Sequence, residues 1–575
     1  MRALRGVPAS TGVARGPWVR VDAAVIPAGG RLAPGADPDA EVARLLAARD
    51  AAAGELEALA DELTGSGNDE GEIFFAQATM ALDPALFDAA EAAIRDGSDG
   101  IAAIRTAAGS VADQLRALDD ELLAARATDV LDVAERIAAR LAGVDRTVGL
   151  DAPSIVVAED IPPSLAAGLP RERLLGLALE GGSATSHAAI LARAFGIPAV
   201  VGVGGLLTAA REVQAGGELV VDGDSGEVVF EPDEAATSRL EGRRAAAVRA
   251  AERALEEAGL PAITRDGVEV TLLANIGTPA EAARAVALGA RGVGLFRTEF
   301  LFVERSAPPT EDEQTAANRA VVAAFAPGPV TIRLLDVGGD KPIPYLPIPP
   351  EANPFLGVRA LRLAPERPEL FITQLRAAMR AAVDGRVKVM APMVADAGDV
   401  AVLLDLAERA RDGLRADGIE HGEVDLGVML EIPSAILVAG TFFDRIRFAS
   451  LGTNDLLQYT LAADRGNAAL ERYRDSLHPA LLRLIGTAAA EAEAAGVELS
   501  VCGEMGGDPA AALALVGLSV RVLSMADSSL APVRRAIRAA DTGELRAIAE
   551  EALDASSAAE VRARFERLLS APSAS

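Results

Sequence analysis

The chain has 575 residues and a formal net charge of −29. That is too long for one core, so roughly two to four domains are expected; the charge disfavours nucleic acid and anionic membranes and suits a basic protein partner. Half of the residues are apolar, yet the longest charge-free run, Ala194 to Ala210, is shorter than the roughly 20 residues of a membrane span and is broken by Pro198, Gly202, Gly204 and Gly205.

The opening MRALRGVPAS has no long apolar core after its arginines, so no signal peptide is read. From Leu4 to Arg20 the text alternates and carries turn signals at Pro8, Gly12, Gly16 and Pro17, which predicts one or two short strands. Asp37-Pro38 is a helix start, with proline at the first helical position, and the text stays helical to about Leu141. Val42, Leu56 and Leu63 share a heptad position that Arg49 interrupts; Leu45, Ala52 and Leu59 share another, the spacing of a helix-packing seam. Further helices are predicted after Asp83-Pro84, after Asp99-Gly100, and from about Asp113 to Leu141. Residues 37–142 therefore read as an α-helical bundle inserted after the opening strands.

Between Ala152 and Phe230 short β-like runs (Ser154–Ala158, Ala199–Val201, Glu218–Val221, Glu227–Phe230) alternate with turns and short helices. Residues 1–36 and 143–230 are expected to form one small α/β domain. It contains GGSATSHAAILARAFGIPAVVG, Gly181 to Gly202, where the capping residues Ser183, Thr185 and Ser186 precede His187 and the amphipathic run Ile190, Leu191, Ala194 and Phe195 follows it. A helix N-terminus offers free N–H groups and a partial positive charge, so an imidazole there sits where phosphate is welcome, and a phosphate on imidazole remains transferable. A packed or solvated histidine is the alternative. Residues 231–260 are charged and Ala-rich at helical spacing, which predicts a linker helix.

From Pro261 onward there are eight apolar β-like runs separated by helical text: Val268–Ala274, Gly292–Phe296, Val330–Leu335, Arg386–Met390, Leu426–Leu430, Arg445–Ser450, Glu498–Val501 and Leu518–Leu523. That alternation predicts a (β/α)8 barrel over 261–575, with chemistry at the C-terminal strand ends. Those ends carry Asn275, Arg297, Asp336, Glu431, Asn454, Asp455 and Cys502. Arg297 and Arg333 can clamp phosphate or carboxylate bidentately, with Arg359 and Arg465 as further candidates. Glu431 and Asp455 are hard oxygen ligands, and two carboxylates plus substrate oxygens and water suit Mg²⁺. Cys502 is the single cysteine, which excludes an internal disulfide and fits a reducing, cytoplasmic setting; its thiol is mostly protonated near pH 7 and can act as an acid. Lysine occurs only at Lys341 and Lys388, so a lysine that remains can be there for its chemistry, and Lys341 counts with Arg359 as a secondary candidate. Surface ion pairs for the arginines, a small buried hydrophobe for Cys502 and a turn carboxylate for Glu431 remain open alternatives.

With these motifs in place, the chain resembles the Enzyme I family of the bacterial sugar phosphotransferase system, the phosphoenolpyruvate–protein phosphotransferases. The resemblance runs along essentially the whole length: RGVPASTGVARG, IFFAQATMALDP, TSHAAILARAFGIPAVVG, GVGLFRTEFLF, DVGGDKPIPYL, NPFLGVRALR, LGTNDLLQYTLAADRGN and CGEMGGD. It implies that His187 is the phospho-accepting histidine, and that Arg297, Arg333, Asn454, Asp455 and Arg465 contact phosphoenolpyruvate. It further implies that Glu431 and Asp455 hold Mg²⁺, that Cys502 protonates the enolate to pyruvate, and that the barrel forms a homodimer. The helical domain would dock the carrier HPr, at a run matching Asp69, Glu70, Glu72, Phe74 and Met80. An acidic face there agrees with the charge argument, an ordinary solvated helix face being the alternative.

The chain departs from the family pattern at Ser183 and Ala184, where Gly-Arg is usual, and at Gln77, where histidine is common. These changes bear on rate and partner choice rather than on reaction type. Three rival readings stand beside this one: a pyruvate phosphate dikinase or phosphoenolpyruvate synthase relative, for whose ATP-binding domain the chain has no room; the nitrogen-related Enzyme I paralogue; and a non-catalytic protein that binds phosphoenolpyruvate or HPr.

Overall fold

The structure is a computed structural model that describes residues 2–21, 26–65, 77–116, 121–144, 150–161, 169–182, 188–189, 192–193, 196–213, 216–302, 305, 307–338, 343, 345–349, 351–465 and 467–570. The chain divides into two compact units, Met1–Ala250 and Ala251–Ser575.

In the first unit, the described strands form an eight-stranded sheet: β1 (Arg2–Arg5), β2 (Val7–Ser10), β3 (Val13–Arg20), β4 (Ser154–Ala158), β5 (Leu174–Leu179), β6 (Ala199–Val201), β7 (Glu218–Asp222) and β8 (Glu227–Phe230), in the order β1-β8-β7-β3-β4-β5-β6-β2. The β3–β4, β4–β5 and β5–β6 pairs are parallel. Every residue of β4, SIVVA, is buried, as expected of a strand covered on both faces. Alternate residues feed two apolar layers: Val156, Leu177, Leu179 and Ala192 in one, Trp18, Ile155, Val157, Leu206 and Phe230 in the other. The opening segment makes three strands rather than one or two. Gly6 marks the first break, since a Cβ there would collide with the Val201 carbonyl. The sequence reading passes over β5 because LLGLAL is apolar throughout and shows no period of two.

Between β3 and β4 the helices Pro38–Gly65, Pro84–Arg95, Gly100–Arg116 and Glu121–Ala142 pack around Leu45, Ala52, Leu56, Ile94, Ile104, Ala108, Val133 and Ile137. The heptad rows hold at Val42, Leu45, Ala52 and Leu56, all buried. Arg49 interrupts them without loss, its guanidinium lying 5.2 Å from the Phe87 ring centroid. The side chains of Leu59 and Leu63 lie outside those described. The helix expected from Asp113 begins at Glu121; Asp113 belongs to the preceding helix, whose buried stripe runs on through Ala108 and Ala112. The expected linker helix is Glu234–Glu256. Arg239 and Arg243 pair with Glu227 (3.0 Å) and Asp222 (2.6 Å) of the β7–β8 hairpin.

In the second unit, β10 (Glu269–Ile276), β11 (Val293–Arg297), β12 (Val330–Arg333), β13 (Val387–Ala391), β14 (Asp425–Leu430), β15 (Phe448–Leu451), β16 (Glu498–Val501) and β17 (Val522–Met525) pair in parallel. The set closes through β17–β10 and β10–β11 into a (β/α)8 barrel, and a short β9 (Ala262–Ile263) runs antiparallel to β10. Leu295, Met390, Met429, Phe448 and Cys502, one from each of five strands or strand ends, form a cluster separate from the main core and fill the barrel interior. Lys388, one of the two lysines, is buried in this interior: its Nζ lies 2.6 Å from Glu498 and 5.0 Å from the Phe448 ring centroid. Two strands start later than expected. Phe443–Arg445 forms a short 3₁₀ turn ahead of β15, and Leu518 closes a helix before Ser519 turns the chain at φ 68°. Among the described residues no helix is long and apolar enough to cross a membrane.

Trp18 is the single tryptophan and meets Phe230 edge to face at 5.4 Å. Phe230→Ala is expected to destabilise the first unit by about 3–5 kcal/mol. Urea unfolding followed by Trp18 emission should show an earlier midpoint; an unchanged midpoint would contradict this packing account.

Candidate active site at the barrel mouth

The polar strand ends converge at one mouth of the barrel. Arg297 ends β11 and Arg333 ends β12; Glu431 follows β14, Cys502 follows β16, and Asn454 and Asp455 open the helix Thr453–Leu461 after β15. The parallel order makes this the C-terminal face, where barrel enzymes keep their chemistry.

The arginines are held by carboxylates. Arg333 is buried, with Nη2 2.8 Å from Glu299 and Nη1 3.3 Å from Asp336. Arg359 is 2% exposed and grips both oxygens of Asp336, at 3.1 Å from Nε and 2.9 Å from Nη2. It also reaches Asp455 at 3.5 Å and donates to the Tyr459 hydroxyl at 3.3 Å. Tyr459 in turn donates to the Phe355 carbonyl at 2.7 Å, fixing the loop that carries Arg359. Gly338, at φ 109°, lets the β12 loop pass over Arg359, since a Cβ would press on the Arg359 side chain at 2.8 Å. Arg465 Nη1 lies 3.5 Å from Asp455. Asp336 and Asp455 thus tie three arginines together. Arg297, half-buried, makes no ion pair among the described residues. Asn454 accepts the Glu504 N–H through Oδ1 at 3.1 Å, which leaves its amide N–H groups to donate.

Glu431 is 1% exposed and accepts the Met393 N–H at 2.6 Å; Met393 is held in the left-handed region at φ 58° to present it. Burial, then the neighbouring Asp336 and Asp455 charges, push the Glu431 carboxyl up to about 8 against the pull of Arg333. Asp455 Oδ1 is buried and makes no hydrogen bond among the described residues. One carboxylate short of compensating charge beside another with an unbonded oxygen suits a hard cation. Among the described residues no cluster of three or more His, Cys, Asp or Glu groups makes a ready cage. Glu431 and Asp455 are the residues here that could hold such a cation, with its remaining positions open to water. Cys502 is buried, its Sγ 3.7 Å from the Leu451 carbonyl; burial is the main reason its thiol is pushed up to about 11.

Of the remaining sequence candidates, His187, Lys341, Asp69, Glu70, Glu72 and Phe74 lie outside the described residues, as do Ser183 and Ala184. Ala188, Ala189 and Ala192, just beyond His187, are helical and buried. Met80 is partly buried against the helical core, and Gln77 is buried with its Nε2 3.1 Å from Asp129. The sequence reading gave no role to Glu299, Asp336 or Tyr459. Signals were present: Glu299 stands two residues after Arg297, Asp336 is itself a strand-end acid, and Tyr459 is one of only three tyrosines.

Three family models match in succession: the N-terminal segment of PEP-utilising enzymes at residues 5–126, their mobile domain at 150–226 and their PEP-binding domain at 251–542. The phosphoenolpyruvate-protein phosphotransferase of Geobacillus stearothermophilus is 39% identical over 586 residues, covering 99% of this chain and 98% of its own. That of Streptomyces coelicolor is 42% identical over 578 residues, 99% of each chain. The multiphosphoryl transfer protein of Rhodobacter capsulatus is 42% identical over 511 residues, 88% of this chain, and this chain spans 61% of that longer relative. Given these matches and the arginine–carboxylate mouth of its barrel, the chain belongs to the phosphoenolpyruvate-protein phosphotransferases of the PEP-utilising enzyme family.

Proposed function

We propose that this enzyme takes the phosphoryl group of phosphoenolpyruvate onto His187, releases pyruvate, and passes the group to a histidine of the carrier HPr, the first step of sugar uptake by the phosphotransferase system. The observation that carries this reading is the barrel mouth, where carboxylate-held arginines, the buried carboxylates Glu431 and Asp455 and the buried thiol of Cys502 lie at the C-terminal ends of the barrel strands.

Each group has a task. Arg297 and Arg333 grip the phosphate and carboxylate of the substrate, Arg333 kept in place by Glu299 and Asp336. Asn454 and Arg465 add donors. Mg²⁺ on Glu431 and Asp455 would neutralise charge that develops on the transferring phosphoryl group. His187 Nε2 attacks phosphorus as the bond to the enolic oxygen breaks. The enolate then takes a proton at C3 from Cys502. A thiol held up near 11 keeps its proton at neutral pH, the form an acid needs.

One histidine must meet both the barrel and the carrier, so the domain of residues 1–36 and 143–230 moves relative to the barrel domain, 261–575, about the linker of 231–260. The helical domain, 37–142, docks HPr by the acidic and apolar run Asp69, Glu70, Glu72, Phe74 and Met80. A homodimer through the barrel and a cytoplasmic location complete the proposal.

Intact mass after incubation with phosphoenolpyruvate and Mg²⁺ is expected to show one acid-labile phosphoryl group, lost on adding HPr. In His187→Ala the gain should vanish while phosphoenolpyruvate still binds; labelling of that variant on histidine would sink the assignment. Because Cys502 is the single cysteine, iodoacetamide uptake reads it directly. At pH 8 labelling of the folded chain should be at least about 100-fold slower than in denaturant, from scarce thiolate alone, with burial slowing it further. Labelling at the rate of a free thiol would contradict the protonated, buried state.

A further inference from the structure

The proposed chemistry leaves one arrangement at the mouth unused. The β16–β17 ladder ends at Val501–Leu523, so the Cys502 carbonyl lies beyond it. That carbonyl is met from across the closing strands: Asn275 Nδ2 donates to it at 2.9 Å. Because the Cys502 carbonyl can only accept, the amide nitrogen must face it, and Asn275 Oδ1 accepts from the Ser524 hydroxyl at 2.5 Å. Ser524 is fully buried.

The space for this chain of contacts is built by a defect in the sheet. Ala274 of β10 pairs with Val293, but the next residue, Asn275, pairs with Leu295, leaving Gly294 as an unpaired extra residue. Such bulges re-aim side chains beside active sites. A Cβ on Gly294 would overlap Ser524 Cβ and Oγ, so bulge and glycine together admit the serine. On the other side the Cys502 N–H donates to Leu451 at 3.1 Å, and a Cβ on Gly503 would collide with Thr453 Oγ1. The peptide that carries the thiol is therefore clamped from both neighbours.

We propose that Asn275, oriented by Ser524, is a positioning residue for Cys502. It fixes the backbone from which Sγ is aimed at C3 of the three-carbon substrate. The proposal rests on the reading of Cys502 as the acid. In that step the Sγ–H bond breaks and a C3–H bond forms from the enolate electron pair. The C2 oxygen becomes a carbonyl, and the thiolate regains a proton from water. In reverse, the thiolate removes a methyl proton from pyruvate.

The test is exchange of labelled pyruvate into phosphoenolpyruvate by the full chain with Mg²⁺, using pyruvate with hydrogen or deuterium in its methyl group. Asn275→Ala should slow exchange about tenfold, keep half-saturation by phosphoenolpyruvate within about twofold, and raise the methyl isotope effect as proton transfer becomes limiting. Ser524→Ala should move both readouts the same way by less, and it decides the matter if Asn275→Ala does not fold. A lowered melting temperature with an unchanged isotope effect in both variants would reduce the contact to a structural tie and overturn the proposal. Cys502→Ala separates the two layers: if it still exchanges, the acid reading falls; if it does not and the isotope effect stays flat in the other variants, only the role of Asn275 falls.

Discussion

The fold around the barrel mouth depends on keeping arginine side chains charged and buried. A guanidinium out of water is tolerable only with close carboxylates, and a lone buried carboxylate is equally costly. Asp336 solves both problems by bridging Arg333 and Arg359, and Asp455 extends the bridge toward Arg359 and Arg465. The network holds these arginines in place with their charges matched by carboxylates. It also leaves Glu431 with more negative neighbours than positive ones, which is why its carboxyl is pushed up. The same imbalance makes the place hospitable to a cation. Arg333, Arg359, Asp336, Asp455 and Glu431 thus form one coupled set of charges.

Much of this was legible in the sequence because a barrel strand declares itself twice, as an apolar run and as the polar residue that ends it. That pattern alone placed Arg297, Glu431, Asp455 and Cys502 at strand ends, where the structure has them. The supporting residues were harder to see. Glu299 acts on Arg333 of the neighbouring strand, and Tyr459 acts through a loop about a hundred residues away in sequence. No local period carries such pairings. The errors in the fold have equally local causes. An all-apolar strand such as β5 shows no alternation, and the mixed polar and apolar residues before β15 and β17 (Arg445–Arg447 and Leu518–Arg521) read as strand yet lie in or just after a short 3₁₀ turn and a helix end.

The barrel interior shows how sparing the design is with polar groups. Its middle is thioether, phenyl and aliphatic, and the buried Lys388 is paired with Glu498 and set over Phe448. One of two lysines in an arginine-rich chain therefore serves the barrel's packing rather than its mouth.

The order of strands in the first unit has a consequence for how the chain comes off the ribosome. β1 lies at the sheet's edge against β8, Arg2 opposite Phe230, and β3 joins β7 and β4 only across the whole helical insertion. The first strands made are thus without partners while more than a hundred residues are synthesised. The bundle closes by local contacts, which form fast, and the sheet by distant ones, which form late. Locality of contacts therefore favours closure of the helical insertion ahead of the sheet that holds it. The short, glycine-punctuated strands at the N-terminus, with arginine at Arg2, Arg5, Arg15 and Arg20, suit a segment that must stay soluble while it waits.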